Sequence, residues 1–106
     1  MSDRVRASHI LLMYQGSARS TATRSKEEAH RRILELKQEI DGGASFEELA
    51  RANSDCPSNS RGGDLGEFGP GQMVPEFDKA AFGMEVGATS DVVETPFGFH
   101  LIRRTG

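Results

Sequence analysis

A chain of 106 residues with 36% hydrophobic and 27% charged side chains has room for one packed core but not two, and its composition excludes general disorder. Its apolar runs are only a few residues long, so neither a membrane span nor a secretory leader is expected, and a cytoplasmic location follows as the default. A net charge of −3 argues against a general nucleic-acid binder, and the single cysteine, Cys56, excludes a disulfide framework and cysteine-rich zinc modules while suiting a reducing compartment.

Residues 5 to 14 predict a strand, because Val, Ile, Leu and Tyr dominate and no Gly or Pro interrupts them. The two-residue period puts Val5, Ala7, His9, Leu11 and Met13 on one face and Arg6, Ser8, Ile10, Leu12 and Tyr14 on the other. Both faces of its second half read as buried, which implies a central strand. Residues 15 to 24 contain Arg19, Arg24, four Ser/Thr hydroxyls and no acid, a local basic excess that suits either a small anion site or a solvated loop.

Ser25 and Glu28 then form a Ser-x-x-Glu capping box, and Ala29, Ile33, Leu36 and Ile40 draw one apolar stripe of a helix that stops at Gly42-Gly43. Ser45 and Glu48 repeat the box ahead of a shorter helix with Phe46, Leu49 and Ala50 inward, ending near Asn53. Residues 62 to 71 hold five of the chain's 12 glycines around a short strand, Leu65 to Phe68 at most. Pro75 opens a third helix with Phe77, Ala81 and Phe82 inward, and residues 91 to 94 and 99 to 103 predict a final hairpin through Thr95-Pro96-Phe97-Gly98. The order defines an α+β domain, with helices packed around a small sheet and no linker to divide it.

Three histidines and Cys56 are the candidate chemical groups. His30 falls on the polar side of the first helix and reads as a surface residue. His9 and His100 lie inside apolar strands, where an imidazole needs hydrogen-bond partners, and adjacency of the first and last strands would let the two rings meet. Cys56 lies in a loop, but the local signatures of thiol hydrolases are absent, and no two candidate ligands stand at zinc-pair spacing, so neither a metal nor another cofactor is expected. Leu65, Phe68, Met73, Phe77 and Phe82 fall within 18 residues, and read as core or as the lining of an apolar pocket with Cys and His near its rim, suited to a small apolar ring on a peptide.

Four blocks in order make the chain recognisable: Arg6-Ala7-Ser8-His9-Ile10-Leu11; Ser54-Asp55-Cys56-Pro57-Ser58 with Arg61-Gly62-Gly63-Asp64-Leu65-Gly66-Glu67-Phe68; Gly71-Gln72-Met73-Val74-Pro75-Glu76-Phe77; and Thr95-Pro96-Phe97-Gly98-Phe99-His100-Leu101-Ile102. From about Val5 to Thr105 the sequence resembles the parvulin family of peptidyl-prolyl cis/trans isomerases. The resemblance implies a single domain over residues 1–106, built as a four-stranded antiparallel half-barrel surrounded by helices. It implies a polar network of His9, Cys56, Thr95 and His100 beneath a proline pocket lined by Leu65, Met73 and Phe77 and flanked by Gln72 and Phe97. The implied partners are proline-containing peptides and protein clients, bound by a monomer, with no nucleic acid and no membrane. Phosphate-selective members of the family present paired basic residues after the first strand. This chain has Ala18-Arg19 there and Met13 in place of a lysine, so Arg19 and Arg24 stand as candidate anion-binding residues without an expected strict dependence on phosphate. A non-catalytic peptide-binding module and a small thiol hydrolase are the competing readings.

Overall fold

The computed structural model describes residues 4–18 and 20–106, so the candidate Arg19 lies outside the described residues. Strand β1 (Val5–Leu12) leads to helix α1 (Lys26–Asp41) and helix α2 (Phe46–Asn53); a 3-10 turn (Pro57–Arg61), β2 (Asp64–Phe68), α3 (Pro75–Phe82), β3 (Val93–Thr95) and β4 (Gly98–Arg104) follow. The strands form one antiparallel sheet in the order β2-β1-β4-β3, which places β1 centrally, as its doubly buried pattern requires. The sheet is α+β in class and open at both edges, in keeping with the half-barrel expectation.

Helix α1 begins where its sequence says it must. The Ser25 hydroxyl accepts the Glu28 N–H, and the Glu28 carboxylate accepts the Ser25 N–H in return. Ala29, Ile33, Leu36 and Ile40 are buried against the sheet, the Ile and Leu side chains each contributing about 1.5 to 3 kcal/mol before entropy is charged against it. At α2 the cap takes another form: Ser45 Oγ accepts the Glu48 N–H but turns its own hydrogen toward Glu47. Phe46 and Ala50 are buried and Leu49 partly so.

Alternation along the two central strands divides the core. Ile10, Leu12, Phe99 and Leu101 point to the α1 and α2 side, whereas Val5, Ala7 and Ile102 join Phe68, Phe77 and Ala81 on the α3 side. His9, Leu11 and His100 share the parity of this second face.

The first strand is shorter than the apolar run predicts. Its ladder ends at the pair Leu12–Phe99, and the Met13 N–H goes to a side chain instead. The last hairpin is also shifted from the predicted limits, because Thr95 pairs with Gly98 around a two-residue turn. Gly98 has φ +142°, and a Cβ there would overlap the Leu12 carbonyl oxygen, so close strand approach demands glycine. The pairing of β1 with β2 slips between Arg6 and Ser8, where Gly66 at φ +73° takes up the extra residue as a bulge.

Candidate functional site

On the α3 side of the sheet lies a cavity of about 270 Å³ lined by His9, Leu11, Met13, Cys56, Pro57, Leu65, Met73, Val74, Phe77, Phe97 and His100. Its surface is almost wholly apolar, and its size, at the small end for ligand pockets, suits one ring and its adjoining peptide groups. A larger depression of about 720 Å³ is lined by Lys26, His30, Glu94 and Phe99 among others. That one is shallow, and Lys26 and Glu94 in its wall already pair with each other at 3.0 Å. The smaller cavity is the candidate site because it joins apolar walls to two buried histidines.

Strand register explains why the histidines meet. His9 pairs with Ile102 and Leu11 with His100, so the two imidazoles are diagonal neighbours on one face of adjacent strands. Their Nδ1 atoms stand 3.1 Å apart, and His100 Nε2 lies 2.7 Å from Thr95 Oγ1, which also accepts the Phe97 N–H at 3.2 Å. A Thr95 hydroxyl donating to His100 Nε2 makes His100 Nδ1 the donor to His9 Nδ1. His9 Nε2 then carries a hydrogen, and this buried atom has no partner among the described residues. Burial pulls His9 down to about 4, and burial with the neighbouring His9 pulls His100 to about 3, so both rings are neutral at ordinary pH.

The Phe77 ring stands edge-on to both imidazoles, with centroids 5.6 Å from His9 and 5.5 Å from His100. Pro75 occupies the first turn of α3 and sets the helix so that Phe77 and Ala81, four apart, face inward. The bulge at Gly66 belongs to the same segment as Leu65, which lines the cavity. Gly63 approaches β1 so closely that its carbonyl accepts the His9 N–H at 2.9 Å, and a Cβ there would overlap His9 main-chain atoms.

Of the residues singled out in the sequence, the cavity unites His9, Cys56, Leu65, Met73, Phe77, Phe97 and His100, with Thr95 behind His100. Gln72 lies outside this lining: its side chain is exposed and accepts the Gly69 N–H, closing its own turn. Arg24 pairs with Asp55 and donates to the Met13 carbonyl, so its charge is already met. His30 is exposed, as expected, yet packs at 5.1 Å on the Phe99 ring. Leu11, Met13, Pro57 and Val74 were not anticipated as lining residues. The period of two that groups Leu11 and Met13 with His9 is the signal that points to the first pair.

Comparison with known proteins agrees with this geometry. The family model described as rotamase, PPIC-type PPIase domain, matches residues 9–106. The peptidyl-prolyl cis-trans isomerase Pin1 of Digitalis lanata is 43% identical over 116 residues, covering 99% of this chain and 98% of that protein. The peptidyl-prolyl cis-trans isomerase ESS1 of Saccharomyces cerevisiae is 44% identical over 112 residues, covering 97% of this chain and 66% of that one. Among solved structures, the peptidyl-prolyl isomerase ESS1 from Candida albicans superposes with a TM-score of 0.92 at 38% identity, covering 98% of this chain and 63% of that chain. The solution structure of TbPIN1 gives 0.90 at 37%, with both chains covered completely. A small open antiparallel sheet presenting a histidine pair to an apolar cavity is thus the frame of a rotamase domain. This chain belongs to the PPIC-type, or parvulin, family of peptidyl-prolyl isomerases.

Proposed function

We propose that this protein accelerates cis/trans rotation about X-Pro peptide bonds by binding the twisted amide without covalent chemistry. The observation that carries this is the apolar cavity of about 270 Å³ with two neutral imidazoles in its wall. Amide resonance sets a barrier of about 18 to 20 kcal/mol, and a thousandfold acceleration needs only about 4 kcal/mol of differential stabilisation. Twisting localises the nitrogen lone pair and withdraws charge from the carbonyl oxygen. Apolar walls that solvate the planar carbonyl poorly therefore favour the twisted form, while Leu65, Met73 and Phe77 hold the pyrrolidine ring.

In this reading Cys56 supplies the local field beside the rotating carbonyl and makes no bond to it. An addition intermediate would have to collapse without hydrolysis, which an assisted rotation avoids. Met13 in the wall and the pairing of Arg24 with Asp55 favour uncharged residues before proline over phosphorylated ones. We further place its work on proline-containing segments of client proteins, as a monomer in a reducing compartment that suits the free Cys56 thiol.

Exchange spectroscopy on peptides with Leu, Ala, Glu or phosphoserine before proline tests the reading. Accelerated interconversion, greatest for Leu or Ala, is expected. Peptide affinity with no acceleration would leave only a binding module, trapping of an acyl group on Cys56 would establish a hydrolase, and a steep phosphoserine preference would overturn the specificity assigned here.

A further inference from the structure

β2 pairs with β1 only as far as Ser8, so the edge of β1 beyond that point, through Leu12 where the strand ends, has no strand partner. Asp55 takes over that task. Its N–H donates to the Leu11 carbonyl at 2.7 Å, and its Oδ2 accepts the Met13 N–H at 2.8 Å. The same oxygen pairs with Arg24 Nη1, which also donates to the Met13 carbonyl at 2.9 Å. Both polar groups of the Met13 main chain are therefore held by one ion pair. Ser54 adds a further stitch, its hydroxyl accepting the N–H groups of Leu11 at 3.0 Å and Cys56 at 3.4 Å. Leu11, Met13 and Cys56, the three residues so fixed, all line the cavity.

We infer that Arg24 and Asp55 are positioning residues of the isomerase, a brace that sets Met13 and Cys56 at a fixed spacing in the cavity wall. The two side chains are 33% and 28% exposed, so as an ion pair they add little to stability. Their effect falls instead on wall geometry, to which rate is far more sensitive, since a displacement of about 1 Å can cost about a hundredfold. Arg24 is anchored for this task at its own main chain as well, because its carbonyl accepts the Gln15 N–H at 2.9 Å and closes the basic loop.

The inference rests on the isomerase reading above, and its test separates the two. Arg24→Ala, Arg24→Lys and Asp55→Ala are compared with wild type for kcat and KM on a Leu-Pro peptide, for melting temperature, and for the rate at which iodoacetamide alkylates Cys56. Both alanine variants are expected to lose about tenfold to a hundredfold in kcat/KM, mostly in kcat, with an altered alkylation rate and a nearly unchanged melting temperature. Arg24→Lys restores part of the turnover by keeping the charge. Wild-type turnover and alkylation in both alanine variants would overturn the brace, as would losses that follow the melting temperature alone without rescue by lysine. Absence of acceleration in wild type would instead strike the isomerase reading, and alkylation would then decide alone whether the brace holds Cys56.

Discussion

His9 and His100 are 5% and 4% exposed, and each offers the other its only near imidazole. Charging either ring would place a cation in a cavity whose walls are Leu, Met and Phe, which is why both are pushed below their ordinary value of 6.5. The unfolded chain therefore takes up protons first as pH falls. Stability is full above about pH 7, declines from 6.5 downward, and levels off only below the folded values of about 4 and about 3. At pH 5 the loss amounts to about 2 kcal/mol for each ring. Imidazole resonances followed by NMR check this: both rings stay neutral down to pH 5, and an inflection near 6.5 from either would contradict the buried neutral pair. Turnover should likewise show no step from these groups between about pH 6 and 8. The cavity residues divide by the same logic of burial. Phe77, 3% exposed, belongs to the core as well as the pocket, so Phe77→Ala is expected to cost about 3 to 5 kcal/mol together with most of the activity. Met73 is only partly buried, and Met73→Ala should reduce turnover with a much smaller change in melting temperature. Cys56→Ser should retain measurable rate, because a hydroxyl keeps a dipole beside the carbonyl; complete inactivity in that assay would restore a covalent role.

Single elements succeed or fail on local hydrogen bonds. The reciprocal cap at Ser25 satisfies two main-chain N–H donors at once, whereas Ser45 satisfies one N–H and spends its hydrogen on Glu47. Ser25→Ala is thus expected to cost about 1 kcal/mol in chemical denaturation, and Ser45→Ala less. Gly98→Ala should cost more than about 1 kcal/mol, since its φ of +142° and the nearby Leu12 carbonyl both exclude a side chain. An unchanged denaturation midpoint would contradict the strand spacing described for β1 and β4. What could be read in advance follows the same boundary between local and distant causes. Helix α1 was legible because cap, apolar stripe and glycine stop lie within one short window, and the central place of β1 because both its faces are apolar. The 3-10 turn after Cys56 was not, since Pro57 and polar neighbours read equally well as loop. The exact end of β1 was hidden too, because it depends on an Asp55 carboxylate 42 residues away. Gln72 shows the converse: its position in the matched block was visible, but the 2.6 Å bond that turns its side chain to Gly69 was not. Strand parity and family resemblance pointed to His9, His100, Leu65, Met73 and Phe77, which the fold brings to one cavity; the loop contacts that hold them were not legible.

At the scale of the molecule, one sheet separates two apolar clusters with different duties. The larger joins α1 and α2 to Ile10, Leu12, Phe99 and Leu101, and the smaller joins α3 to Val5, Ala7, Phe68 and Ile102 beside the cavity. Helix α3 spans only eight residues and owes its place to Phe77 and Ala81, so the cavity floor rests on the thinner of the two layers. Native-state hydrogen exchange should find α3 opening at lower free energy than α1, and a proline-containing peptide should slow that opening. Equal protection of the two helices would refute the division. The pairing of β1 with β4 has a further consequence. Its two imidazoles lie 91 positions apart along the chain, so an emerging polypeptide on the ribosome has no working centre until its distal strand is free to slot beside the proximal one. No molecule can turn a proline in another until its chain has been made through β4 and that strand has closed beside β1.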